Sequence, residues 1–278
     1  MKKTAFAASL AALFTFTAQA NNKVGLYLGG QIWQSEASGI FGEKNTLNDF
    51  NLKKEQQINY FVAVEHPFPL LPNVRISSTT LDTTGKTTLT QEFSFGDETF
   101  PMGDDVNASF NVSYMDYTLY YELFGNGNFS FDLGLTARNF NGDVTVTGST
   151  IIYPGDDLCN GPEIAPVPPS SCPSPTSSDT PSDKIKTNEI VTMLYVATNI
   201  SLPLTGLSVF AQGDFSLIDD HSLYDYQVGL SYDLVDSFVM DLNLNLGYRA
   251  VKMEFEDLDN LYTDLEFKGA FVGVIVRF

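Results

Sequence analysis

Long apolar runs are missing from this chain of 278 residues, and that absence narrows its options more than any motif it carries. A membrane-spanning helix needs about 20 consecutive apolar residues. The apolar stretch from Ala5 to Phe16 is too short, and charged or amide residues interrupt every later run. If the chain enters a membrane it must do so as strands of a closed barrel, the other structure that satisfies every backbone group in lipid. Basic residues are scarce as well: 15 Lys and Arg stand against 34 Asp and Glu, a formal charge of −19. That balance lacks the basic footprint nucleic-acid phosphates require and suits mutually repelling, soluble loops. Only two histidines and two cysteines are present. Cys159 and Cys172 have no histidine neighbours, which makes a metal site the weaker reading and a disulfide the expected one in an oxidising compartment. The bridge would close a loop of about 14 residues and restrict the unfolded chain by about 3 kcal/mol on the entropy model.

Both ends carry export features. Met1-Lys2-Lys3, the short apolar core and Ala18-Gln19-Ala20 have the form of a secretory signal peptide over 1–20, without a cysteine after the cleavage site. The last stretch, Ala270 to Phe278, alternates without a break: Phe278, Val276, Val274, Val272 and Ala270 share one apolar face. A final strand ending in Phe resembles the signal read by the outer-membrane barrel-insertion machinery, so Phe278, Val276 and Val274 are the expected assembly signal.

Between these ends, residues 21–278 show period-2 alternation interrupted by breaks of two kinds. Short breaks fall at 67–72, 125–128, 202–206 and 235–237, and long polar ones around 38–57, 83–108, 148–186, 218–222 and 256–263. Alternating tight turns and long loops is the pattern of an outer-membrane barrel. The expected fold is all-β, a transmembrane antiparallel up-and-down barrel of ten strands: 24–37, 58–66, 73–82, 109–123, 129–147, 186–201, 207–217, 223–233, 238–255 and 264–278. The run from Thr87 to Phe100 reads either as an extracellular hairpin or as an extra strand pair, which would make twelve. An even count puts both termini on the periplasmic side. In the ninth strand Phe238, Met240, Leu242, Leu244, Leu246 and Tyr248 share one face, and Asp241, Asn243, Asn245, Gly247 and Arg249 the other. In a barrel the first faces lipid and the second the lumen. Phe124, Phe129, Tyr232, Phe238 and Phe278 near the short turns, and Trp33, Tyr114, Phe140 and Tyr224 near the long loops, are placed as two interfacial girdles.

The segments Glu65–Val74, Asp116–Glu122, Leu202–Val209, Leu223–Gly229 and Leu258–Phe278 together resemble an uncharacterised outer-membrane β-barrel family of gammaproteobacteria. The resemblance spans nearly the whole mature chain. It implies the fold and an outer-membrane location, with no activity attached. The Pro- and Ser-rich insert at 154–182 is longer than that family leads one to expect; it reads as a low-complexity outer loop.

Alternation points Glu65, Asp116, Glu122, Asp132, Asp214, Asp225, Asp233 and Asp241 inward, with Arg75, Arg138, Arg249 and Arg277. On the lipid face an Arg or Lys costs about 2–4 kcal/mol at mid-bilayer. A barrel of this size has room for little beyond side chains. The expected function is a structural or surface-interaction barrel whose lumen is filled by paired acids and arginines. Because acids outnumber arginines, a narrow cation-favouring channel for small solutes is the alternative. His221 after Asp219-Asp220 resembles in general terms the acid-plus-histidine rim of the omptin proteases; Asp104-Asp105 or Asp156-Asp157 would supply a second acid pair. A solvated turn accounts for it better, and His66 reads as a turn cap. Glu254, Glu256, Asp257, Asp259 and Asp264 form an acidic cluster that could bridge a divalent cation to lipopolysaccharide, although their spacing matches no EF-hand. No catalytic residue, metal or cofactor is expected. The expected partners are outer-membrane lipid, lipopolysaccharide and the insertion machinery, for a monomeric barrel.

Overall fold

The computed structural model describes residues 24–43, 47–149, 180–217, 221–237, 240–258 and 261–278. The signal segment, Cys159, Cys172 and most of the Pro- and Ser-rich loop lie outside them. The first part holds β1 (Gly25–Glu43), β2 (Asn48–Asp49), β3 (Lys54–Glu65), β4 (Asn73–Thr88), β5 (Phe93–Phe95) and β6 (Glu98–Phe100). It is followed by β7 (Asp105–Gly125), β8 (Phe129–Thr147), β9 (Ser182–Leu202) and β10 (Leu207–Ser216). The last three are β11 (His221–Asp236), β12 (Asp241–Leu258) and β13 (Leu261–Arg277).

Ten of these strands form an antiparallel sheet in sequence order, β1-β3-β4-β7-β8-β9-β10-β11-β12-β13, and β13 pairs back on β1 to close it. Leu26 and Phe278 exchange backbone hydrogen bonds at 3.1 and 2.9 Å, which extends the closing seam to the last residue. The short turns are built as their sequences require. Asn126 accepts from the backbone N–H of Asn128 and Phe129, and Gly127 adopts a left-handed φ of 79° that a side chain would resist. At the Pro-rich turn His66 Nε2 lies 3.1 Å from the Pro72 carbonyl while Nδ1 accepts from the Phe68 N–H, the capping role expected of it.

The strands outrun a membrane. A tilted strand crosses in about 9–11 residues, yet β7 has 21 and β8 has 19. Burial along β7 shows what the surplus does. From the short-turn end Tyr121, Leu119, Tyr117 and Met115 face outward and are exposed, while Tyr120, Thr118 and Asp116 are buried. Beyond Tyr114 the polarity inverts: Val112, Phe110, Ala108 and Val106 are buried, and the outward residues are Ser113, Asn111, Ser109 and Asn107. On β8 the inward face likewise passes from Thr136 and Arg138 to Phe140, Val144 and Val146. On β12 it passes from Asn245 and Arg249 to Val251, Met253 and Phe255. The half with the apolar exterior is patterned for lipid. The other half is patterned like a barrel in water, with its core inside.

This inversion corrects two expectations. The lumen is polar only along the lipid-patterned half. Trp33, Tyr114 and Phe140, expected in the outer girdle, instead lie inside the barrel with 1–2% of their surface exposed. The reason is energetic: past the apolar belt the outer wall meets water, so burying a ring inside gains more than displaying it. Tyr224 does stand on the outer wall beside Tyr226, and Phe124, Phe129, Tyr232 and Phe278 are exposed near the short turns. Phe238 lies outside the described residues.

The Thr87–Phe100 run adds no wall strand. Its β5–β6 hairpin turns through Gly96-Asp97, with Gly96 at φ 61°, and folds into the long-loop mouth. Phe93, Phe95 and Phe100 are fully buried there, with Phe41 and Phe50. Phe41 stacks on Phe50 at 4.4 Å and meets Phe110 edge-on at 4.3 Å. Asp183 of β9 accepts from the Asp97 N–H at 2.6 Å, fastening the hairpin tip to the wall.

Candidate functional site

Alternation and register together place an ionic cluster across the lumen at the level where polarity inverts. Asp116 and Arg138 are partners in the β7–β8 register, so their side chains leave the same face side by side. Arg138 grips Asp116 through Nε at 2.7 Å and Nη2 at 2.9 Å, the two-pronged geometry a guanidinium favours. Its Nη2 also reaches across to Asp225 on β11 at 2.8 Å. Arg249 on β12 holds Asp225 through Nε at 2.9 Å and Nη2 at 2.7 Å.

Hydroxyls complete the cluster. Tyr114 donates to Asp225 at 2.8 Å and its ring lies 3.8 Å from the Arg138 guanidinium carbon. Ser77 donates to Asp116 at 3.3 Å and Thr136 to Asp214 at 2.6 Å. Arg249 Nη2 also donates to Thr79 on β4 at 3.3 Å. Arg138 has no exposed surface, and Asp116, Asp214, Asp225 and Arg249 are each 5% exposed. Strands from nearly opposite sides of the ring, β4 and β7 against β11 and β12, are thus tied through the lumen. Taking such charges out of water costs several kcal/mol per ion, which only tight multidentate pairing offsets. Chemically the cluster is a closure: its carboxylates are consumed by guanidinium and hydroxyl donors, and the phenylalanine core lies directly behind it.

Toward the short turns lies a cavity of about 220 Å³, bounded by β1, β3, β4 and β7 to β13. Tyr27 and Tyr120 both donate to Glu65 there, at 2.8 and 3.0 Å, and Asp132, Arg75 and Tyr195 line the wall. Phe61 lies flat against Gly29, its register partner, where any Cβ would collide with the ring at 2.1 Å. Arg75 lies over that ring, its guanidinium carbon 3.5 Å from the centroid.

Of the charges singled out by alternation, the structure brings Asp116, Arg138, Asp214, Asp225 and Arg249 into one cluster and sets Asp132 and Glu65 on the cavity. Glu122 is half-buried near the β7–β8 turn. Asp241 accepts from the Ser237 N–H at the β11–β12 turn, and Arg277 lies over the Tyr27 ring at 5.3 Å. Asp233 is exposed and takes a hydrogen bond from Asn243, its register partner on β12. Alternation gave no sign of Tyr114, Thr79 and Thr136 as members. A buried hydroxyl declares its role only through its partners.

Of the rim acids, Asp104 and Asp105 are among the described residues. Asp104 is buried and accepts from Ser149 at 2.7 Å, and Asp105 takes Thr88 at 2.6 Å and Lys86 at 3.1 Å. Asp156, Asp157, Asp219 and Asp220 lie outside the described residues. In the acidic cluster Lys252 already sits between Glu254 and Asp264, at 3.1 and 3.5 Å; Asp259 lies outside the described residues.

No protein-family model matches the sequence, and no curated protein matches it. Among solved structures the chain is similar to the outer membrane protease OmpT from Escherichia coli, with a TM-score of 0.52 at 7% identity over 94% of this chain and 98% of that one. It has the outer-membrane β-barrel fold. The transport unit of the autotransporter AIDA-I from Escherichia coli aligns with a TM-score of 0.39 at 7% identity over 98% and 96% of the two chains. Ail, the attachment invasion locus protein of Yersinia pestis, aligns with 0.31 at 10% identity over 92% and 99%.

Proposed function

We propose that the chain is a sealed, non-conducting barrel of the Gram-negative outer membrane, a structural or surface-interaction protein. Its short turns face the periplasm, and its plugged, water-patterned half stands outside the cell. One observation carries this reading: Arg138, clamped between Asp116 and Asp225, and Arg249, held on Asp225, fill the lumen directly beneath a solid phenylalanine core. An ion would have to break these multidentate pairs to pass. The surroundings proposed for it are lipid and lipopolysaccharide, with the insertion machinery as its partner during assembly and a monomer as its working state. Refolded protein in a planar bilayer is expected to give no stepwise current at any salt gradient. Discrete, cation-preferring steps would overturn the sealed reading in favour of a narrow conduit.

We assign it no catalytic activity. The likeness to a protease is one of fold alone, and Asp104 and Asp105 are committed to fastening the mouth. Cleavage of a peptide library by the parent protein that disappears in His221→Ala would contradict this.

A further inference from the structure

The cavity at the short-turn end remains unexplained by a barrel that merely seals and displays. Four buried polar atoms on its wall make no hydrogen bond within the protein: Gln31 Nε2, Asn199 Oδ1, Gln227 Oε1 and Asn245 Oδ1. Asn245 is 7% exposed, so its oxygen is committed to the cavity. A group this buried without a partner carries a desolvation cost that native structures rarely leave standing. Three of the four atoms are acceptors, which calls for an occupant rich in N–H or O–H donors.

Charge and rings narrow the chemistry. Two carboxylates, Glu65 and Asp132, line the cavity against a single guanidinium, Arg75, whose face is taken up by Phe61. Tyr27 and Tyr120 hold Glu65 in place by donating to both of its oxygens. With Tyr195 and Phe210 they supply ring faces, which attract cations. At about 220 Å³ the cavity is smaller than the roughly 300 Å³ at which drug-sized ligand pockets begin, and suits a small molecule. We propose that this cavity binds a small organic ammonium ion, its charge facing Asp132 and Glu65 and its N–H groups satisfying the amide oxygens of Asn245, Asn199 and Gln227. With the lumen closed above it, the ligand enters only from the short-turn end; that this end is periplasmic rests on the orientation proposed above, whereas the site itself does not.

The test is calorimetric titration of the folded full chain in detergent micelles with ethanolamine, 1,4-diaminobutane and tetramethylammonium, and with glucose as a neutral donor-rich control. Saturable one-to-one binding is expected for at least one primary amine, with none for glucose. Asp132→Asn should weaken it at least about tenfold. Ala197→Trp, which fills the cavity beside its register partner Asp132, should abolish it, both variants keeping heat-modifiable gel mobility. If Asp132→Asn loses that mobility, Ala197→Trp alone decides. The proposal is overturned by glucose binding as well as the amines, by amine binding that survives Ala197→Trp, or by no saturable heat with any amine up to about 10 mM. Conductance plays no part in these outcomes, so a site could fail in a sealed barrel, or stand in a leaking one.

Discussion

Arg138 has the most at stake of any single residue. Replacing it by Met leaves Asp116 buried opposite an apolar chain, and removing one partner of a buried pair costs about 3–5 kcal/mol. Arg138→Met should therefore unfold at a clearly lower urea concentration in micelles, followed by loss of heat-modifiable mobility. Adding Asp116→Leu should recover much of the loss, because two apolar partners leave no stranded charge. Outside the apolar belt, Asp105 offers a pH test. The Thr88 hydroxyl first, and then Lys86, hold its carboxyl below the usual carboxylate range. A carboxyl lowered on folding contributes stability above its unfolded value near 3.9, and loses it as pH falls through the lower folded value. The Asp105 carboxyl resonance should titrate below the ordinary aspartate value, and Lys86→Met should move it up toward that value. At this scale the sequence was partly legible. Period-2 counting from Asp241 or Asp116 places the lumen charges, but it cannot say that Arg138 reaches β11, a contact made by closing the ring.

The elements carry the part that was misread. β7 changes phase in plain view: apolar side chains occupy the even positions from Val106 to Tyr114 and then the odd ones from Met115 to Tyr121. Treating the whole strand as lipid outside and polar inside merges two environments, and so assigns Tyr114 to a girdle it does not occupy. The signal was available as a shift of phase within one strand, and strand length alone, 21 residues where about half would cross, called for it. The β5–β6 hairpin was harder to read, since Leu89, Phe93 and Phe95 fall in one period-2 phase as on a wall strand. Only the closed ten-strand register leaves them no place but the mouth. Phe95→Ala should cost about 3–5 kcal/mol, as core phenylalanine truncations do, and should raise binding of a hydrophobic dye to the folded barrel. It should leave conductance at zero, because the charge cluster beneath is untouched.

For the whole molecule, two halves share ten strands and differ in what holds them. The belt half depends on lipid or detergent around it, and the plugged half on its own core. Amide exchange in micelles should therefore show protection along β7 from Asn107 to Ser113 as well as from Met115 to Tyr121. Shortening the 90–102 segment to remove the hairpin should open only the first of these stretches. Equal loss in both would mean that the core does not hold the outer half independently. Strand count, closure and turn placement followed from the sequence because each is local: a turn residue, a run length, a parity. The depth at which the lumen closes did not, because it depends on which residues of distant strands arrive at one height.

That dependence gives the Arg138 cluster a further meaning. Tyr114 and Asp225 are 111 residues apart in sequence, and Thr79 and Arg249 are 170 apart, so neither of these cross-lumen contacts can form until nearly every strand has been laid down. If β8 slipped by one residue against β7, Arg138 would turn toward lipid; a slip of two would set Asp116 opposite Thr136 or Phe140 and strand both charges. Backbone ladders are indifferent to such errors, since every register makes the same hydrogen bonds. The two arginines are not: they tell a correctly wound cylinder from its near misses, so the cluster proofreads the winding.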